Sequence, residues 1–227
     1  MTTPNLKLLQ KLLNYTFKNE GLLSTALTHR SCLNEPGITE SYERLEFLGD
    51  AVLEMIVSVY LFNKYPDKME GYLTAARSAT VRTESLSKIS KSYGIDAFIA
   101  MSKGEESTGG RNNPSILEDV IESLIGALYC DGGFAAASRF FSKFILPNAE
   151  VIINEDHLKD AKSILQEKAQ SQGFLSPIYK TVKESGPDHD KTFEVVVIVN
   201  AKEITKGSGK SKQEAEQTAA KKANELI

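Results

Sequence analysis

The hydrophobic residues change their period near residue 150, and that switch limits the chain to two differently built parts. Before it, apolar residues recur at helical spacing in Leu8–Leu13, Leu45–Phe62, Leu73–Ile89 and Ile116–Tyr129. Breaks are expected at Asn34–Gly37, Tyr65–Asp67, Ser107–Pro114 and Asp131–Gly133. The stretch Pro147–His157 turns polar in its second half. Beyond it, Asp160–Ser171 reads as a helix, Ile178–Glu184 as a strand and Ser185–Asp188 as a turn. Phe193, Val195, Val197 and Val199 alternate onto one face of a second strand. Lys202–Lys206 predicts a third short strand, Gly207–Gly209 a break, and Ser211–Leu226 a helix with Ala215, Ala219, Ala223 and Leu226 inward. Ser211-Lys212-Gln213-Glu214 has the S-x-x-E form of a capping box at that helix start. The expected fold is an all-α domain over 1–153, a linker over 154–159, and an α+β domain of α-β-β-β-α order over 160–227.

With 227 residues, 41% of them hydrophobic, the chain can bury two modest cores. Its longest purely aliphatic run, Val195–Val199, is far short of the ~20 residues that span a bilayer. Cys32 and Cys130 cannot form a disulfide framework, which predicts free thiols in a reducing, intracellular setting. Residues 1–156 carry 15 Lys and Arg against 20 Asp and Glu; residues 157–227 carry 12, all Lys, against 10. A basic tail on an acidic protein suits either a polyanion partner or a solvated helix face.

The acids of the first part are the most informative residues. In Glu43-Arg44-Leu45-Glu46-Phe47-Leu48-Gly49-Asp50-Ala51-Val52-Leu53, the residues Glu43, Glu46 and Asp50 fall within roughly 60° of one another on a helix. The rest of that helix is apolar nearly all round, so burial is expected, and buried carboxylates need a cation. On this helix alone, an ion pair with Arg44 or another Arg serves as well as a metal. A second apolar helix, opened by the S-x-x-E box Ser115-Ile116-Leu117-Glu118, places Asp119 and Glu122 on one face. Two such helices suggest carboxylates facing a common centre. Oxygen ligands without Cys or His favour Mg²⁺ or Mn²⁺ over Zn²⁺. Acids holding a hard divalent ion are what metal-assisted phosphodiester hydrolysis requires.

Other motifs carry less. His29 is more simply a structural hydrogen-bonding residue than a catalyst. Gly209-Lys210-Ser211 imitates the end of a P-loop, but Ile204 stands where that motif needs its first Gly.

The run Glu43–Leu53 resembles the ribonuclease III family signature E-R-L-E-F-L-G-D-x-[VI]-L, and Ser115–Gly126 resembles the family's S-I-L-x-D-x-x-E-[AS]-L-I-G segment. Ala26–Ser31 and Glu70-Gly71 also fall where the family has matching elements, and the tail resembles its double-stranded-RNA-binding domain. The resemblance implies a homodimeric cytoplasmic endoribonuclease that cuts duplex RNA with metal-activated water. It implies 5′-phosphate and 3′-hydroxyl ends, and substrates among ribosomal, messenger and transfer RNA precursors. Glu46, Asp50, Asp119 and Glu122 match acids that hold catalytic Mg²⁺, for which Mn²⁺ can substitute; Asp50 and Glu122 match the active-site acids. Glu43 and Glu70 match supporting acids. Gln166 and Glu167 match residues that reach 2′-hydroxyls in one minor groove, and His189 matches the loop entering the next. Lys210 and Lys212 stand where phosphates are met. Three positions depart from the family pattern: Tyr42 where Asn is frequent, Glu118 where Ala is common, and Gln213 where a second Lys is usual. A non-cleaving duplex-RNA-binding relative is expected to lack at least one of the four acids, and all four are present.

Overall fold

The computed structural model describes residues 5–154, 161–187 and 191–227. Contacts divide the chain into two compact units, Met1–Asp67 with Ala76–Glu155, and Lys68–Ala75 with Asp156–Ile227. The linker expected at 154–159 falls, apart from Asn154, outside the described residues.

The helices before residue 155 are α1 (Leu6–Leu13), α2 (Glu20–Ala26), α3 (Glu43–Lys64), α4 (Glu70–Val81), α5 (Thr83–Ser92), α6 (Lys103–Ser107), α7 (Pro114–Phe140) and α8 (Leu146–Asn154). Side chains cap several of them: Asn5 accepts from the Leu8 amide, Asn19 from Gly21 and Ser102 from Glu105. The continuous helix expected over Leu73–Ile89 is two, because Arg82 takes an extended conformation as the N-cap of α5.

The long helices α3 and α7 form the centre, and two glycines let them touch. A methyl group added at Gly49 would overlap the Glu122 carbonyl oxygen, and one at Gly126 would overlap the Leu45 carbonyl oxygen. Leu53, Val57, Leu61, Val120, Ile121, Leu124, Ile125 and Leu128 are fully or almost fully buried around that crossing. α7 is N-capped by Asn113, whose side chain accepts from the Ser115 amide, with Pro114 in the first turn. Ser115 is therefore inside the helix, and its expected capping box with Glu118 does not form. The break expected at Asp131–Gly133 is present: Gly133 leaves the helical region, with φ 68° and ψ −170°, so two helical segments meet at a kink within the span Pro114–Phe140. Pro114–Ile153 is apolar enough by composition to cross a membrane, with mean hydropathy 1.3 in its best window. Yet 61% of that window is buried inside the protein, as a core helix should be.

The tail contains α9 (Ala161–Ser171), strands β1 (Ile178–Ser185), β2 (Thr192–Val199) and β3 (Lys202–Gly209), and α10 (Lys212–Ala223). The strands form an antiparallel sheet in the order β1-β2-β3. Leu165 and Ala169 of α9, Val197 and Val199 of β2, and Ala219, Ala220 and Ala223 of α10 make the core. Leu226, expected inward, is exposed, and Ala220 fills the stripe instead. β3 runs on through Gly207, where a break was expected. A methyl there would overlap the backbone of Ala215 and Ala219, so the glycine lets α10 lie directly on the strand. At the start of α10, the Ser211 hydroxyl accepts from the Glu214 amide, and Glu214 accepts from the Lys210 amide at 2.7 Å. The expected capping box is thus present, with its return bond one residue earlier.

Candidate functional site

The α3–α7 crossing brings acids from both helices together. Glu46 and Asp50 stand on α3, one turn apart; Glu118, Asp119 and Glu122 stand on α7. Glu122 is 9% exposed, Glu46, Glu118 and Asp119 are half-buried, and Asp50 is open to solvent. The cluster therefore runs from the interior to the surface.

Burial and mutual repulsion dominate its electrostatics. Desolvation, with the charges of Asp119, Glu43, Glu118 and Asp50, pushes the Glu46 carboxyl up to about 7. Desolvation, with Asp50, Glu118, Glu46 and Asp119, pushes Glu122 up to about 8. Glu118 is raised by burial, against a hydrogen bond from Thr83. Asp119 is raised by burial, against a hydrogen bond that the Tyr42 hydroxyl donates at 3.0 Å.

Among the described residues, no Lys or Arg forms an ion pair with any of these five acids. The nearest such contact is Arg30 with Glu43, at 3.9 Å. Arg44, the partner suggested by the sequence, points elsewhere and lines a surface cavity with Phe47 and Cys130. Glu43 is exposed, accepts from the Ser41 hydroxyl, and contributes charge to Glu46. Glu70 opens α4, is exposed and accepts from the Thr74 hydroxyl at 3.0 Å.

Five carboxylates with no ion-paired Lys or Arg among the described residues, and only the longer-range charge of Arg30 and His29 acting on Asp119, supply oxygen donors of the type that suits a hard divalent ion. Among the described residues, no three acid, His or Cys side chains already stand as a ready-made coordination set. A dication bound among the carboxylates would offset their mutual repulsion.

His29 has a structural role. It is buried, its Nδ1 accepts from the Ser31 amide at 3.2 Å, and it caps the short turn Arg30–Cys32. Burial holds its pKa below the usual value.

In the tail, Gln166 is half-buried and Glu167 exposed on α9. Lys210 and Lys212 flank the N-cap of α10 and are exposed. Lys212 makes an ion pair with Glu184 of β1 at 3.0 Å and lies 5.6 Å from the Phe193 ring centroid. His189 lies outside the described residues.

Comparison with known proteins fixes what these two units are. Residues 19–149 match the family model described as ribonuclease-III-like, and residues 161–226 match the double-stranded RNA binding motif. The chain is 46% identical over 217 residues to Ribonuclease 3 of Streptococcus agalactiae, covering 95% of both chains. The chain belongs to the ribonuclease III family. Ribonuclease 3 of Streptococcus pyogenes is 45% identical over 219 residues, covering 96% of this chain and 95% of that one. The solved nuclease domain of ribonuclease III from Campylobacter jejuni is 42% identical, with a TM-score of 0.59. It covers 63% of this chain and 98% of its own.

The protein is therefore a double-stranded-RNA-specific endoribonuclease, a helical nuclease domain followed by a double-stranded-RNA-binding domain. Three parts of its nuclease site escaped sequence reasoning. Gly49 and Gly126 carry no chemistry, but set the distance between the acid-bearing helices. Thr83 reaches Glu118 from another helix. Tyr42 reaches Asp119 across 77 residues, which no local pattern reveals.

Proposed function

We propose that this ribonuclease hydrolyses phosphodiester bonds of duplex RNA at Glu46, Asp50, Asp119 and Glu122, with Mg²⁺ as cofactor and Mn²⁺ able to replace it. The carboxylate cluster on α3 and α7, which has no ion-paired Lys or Arg among the described residues, carries the reading. Glu46, Asp50, Asp119 and Glu122 would hold the ion, with Asp50 and Glu122 as the active-site acids and Glu43 and Glu70 in support. When bound, the ion supplies Lewis-acid polarisation of a phosphoryl oxygen and lowers the pKa of water. The chain's own part is to hold the carboxylates in a partly dry setting, where their charge is not screened. The gradient from buried Glu122 to exposed Asp50 leaves one end of the site accessible to an RNA backbone.

The raised pKa values support a metal site in a way that can be measured. Glu46 and Glu122 rise from 4.5 to about 7 and about 8, so the folded, metal-free chain binds their protons more tightly than the unfolded chain. Their favourable contribution is complete below 4.5 and is lost as pH rises through about 7–8. A divalent ion binds the ionised forms and competes with those protons. The rise in melting temperature on adding Mn²⁺ is therefore expected to be larger at about pH 8.5 than at about pH 6. An equal rise at both pH values would contradict an ion held by these acids.

The RNA-binding domain presents Gln166, Glu167, Lys210 and Lys212 for duplex recognition. Helix N-terminal amides and Lys charge at α10 suit phosphates, while side chains on α9 suit 2′-hydroxyls, the contacts by which A-form RNA is read. The exposed Glu184–Lys212 pair is worth only about 0–1 kcal/mol, so a phosphate competes for Lys212 without a large penalty. The products would carry 5′-phosphate and 3′-hydroxyl ends, and the substrates would be duplex stems of ribosomal, messenger and transfer RNA precursors. A cytoplasmic setting accords with the two free thiols, Cys32 and Cys130.

We also read the nuclease domain as a homodimer. Phe47, Met55 and Phe62 on α3 are 82%, 57% and 71% exposed, which makes an unpartnered apolar stripe. The Campylobacter jejuni nuclease domain is described as structurally flexible in a region involved in dimer formation. Two symmetry-related copies of Phe47, each worth about 1.5–3 kcal/mol when buried, contribute strongly to such a contact. Phe47→Glu is expected to weaken the dimer at least ~100-fold, seen as monomer by light scattering during size exclusion. A variant that remains dimeric at micromolar concentration would place the interface elsewhere.

A further inference from the structure

Tyr42 is the residue before the first acid of α3, and its environment is unusually well determined. Its amide donates to the Thr28 carbonyl at 2.9 Å, and its own carbonyl accepts from the amides of Leu45 and Glu46. The side chain is 2% exposed, and its ring packs 5.7 Å from that of His29. Thr28 is in turn bridged to Ala100, and the His29 amide donates to the Ala100 carbonyl at 2.9 Å. From this clamped position the hydroxyl donates to Asp119 Oδ2 on α7 at 3.0 Å.

One residue thus ties the backbone that presents Glu46 to the carboxylate of Asp119. The bond occupies Oδ2 and restrains the carboxylate rotamer. Rotation of a carboxylate is otherwise soft, because its last torsion is broad.

We propose that Tyr42 is a positioning residue that orients Asp119 for the divalent ion and so sets metal affinity. The inference rests on the reading of Asp119 as a metal ligand. Partners that orient metal-binding side chains typically contribute 10–100-fold in affinity.

The test is calorimetric titration of Mn²⁺ into the full-length protein without RNA, for wild type, Tyr42→Phe, Asp119→Asn and the double variant. Tyr42→Phe removes one oxygen and keeps the ring, and the melting temperature of each metal-free variant reports whether it folds. The expected result is ~10-fold weaker Mn²⁺ binding by folded Tyr42→Phe. In the Asp119→Asn background the same change should have little further effect. Wild-type affinity in Tyr42→Phe overturns the inference. So does an equal loss in both backgrounds, because Tyr42 would then act through something other than Asp119. If Tyr42→Phe fails to fold, Asp119→Asn still decides: unchanged Mn²⁺ affinity there leaves Tyr42 nothing to position. Absence of Mn²⁺ binding by the wild type would instead refute the metal reading of the whole cluster.

Discussion

Glu122→Gln is expected to slow duplex hydrolysis by at least ~100-fold while leaving the fold and RNA binding intact. The loss follows from removing one anionic oxygen donor from a site whose ion contributes several kcal/mol to the transition state, each 1.36 kcal/mol being tenfold in rate. The preserved fold follows from the environment of the side chain. Burial and four neighbouring acids push Glu122 up to about 8, so near pH 7 the metal-free protein already holds it largely as a neutral carboxyl. An amide matches that form in size and charge. Melting temperature in chelator, affinity for a short RNA duplex, and single-turnover cleavage in Mg²⁺ separate the three properties. Near-wild-type cleavage would remove Glu122 from the active site; a large fall in metal-free stability would show that its role is structural.

Gly49→Ala is expected to fail in a different way, losing stability and activity together. The new methyl would overlap the Glu122 carbonyl oxygen, an atom of the α7 backbone. Backbone cannot rotate aside as a flexible side chain can, so the helices must separate. Overpacking of this kind costs about 3 kcal/mol or more. For a domain of this size that lowers the melting temperature by roughly 6–12 °C. It also moves Glu46 and Asp50 away from Asp119 and Glu122. Gly104→Ala in α6 is the control, because the nearest atom to its added methyl is the Ser102 hydroxyl at 3.8 Å. There the helix gains from losing glycine, and stability should hold or rise by about 0.5 kcal/mol. A Gly49→Ala protein as stable as wild type would mean that the two helices are not held at contact distance.

The acids of the site are legible in the sequence because helical spacing alone places Glu46 with Asp50, and Asp119 with Glu122. The partners of those acids are not. Tyr42 and Thr83 belong to other segments and reach their carboxylates only through tertiary packing. Local rules misled where tertiary contact overrode them. Ser115-x-x-Glu118 satisfies a capping pattern, but Asn113 is the actual cap and Glu118 is free to join the cluster. Gly207 looks like a chain break, yet it lies within β3 and lets α10 pack directly against the strand, whereas Gly133 does interrupt the helical course of α7 as its sequence suggests. In the tail, Val197 and Val199 reach the core as their alternation suggests, but Val195, Val196 and Val197 are all buried, so burial along β2 does not follow the strand period throughout. That Lys212 is held by Glu184 could not be read from their spacing, since it depends on how β1 and α10 meet.

Metal-dependent cutting of duplex RNA by the carboxylate cluster on α3 and α7 has one most direct test. The full-length protein is incubated with a long RNA duplex, with Mg²⁺ or with chelator, and each sample is run on native and denaturing gels. The expected result is a shifted duplex in both conditions and short products only with Mg²⁺. Cutting that persists in chelator, or a duplex that is shifted but never cut in Mg²⁺, would contradict a metal-dependent nuclease site at these acids.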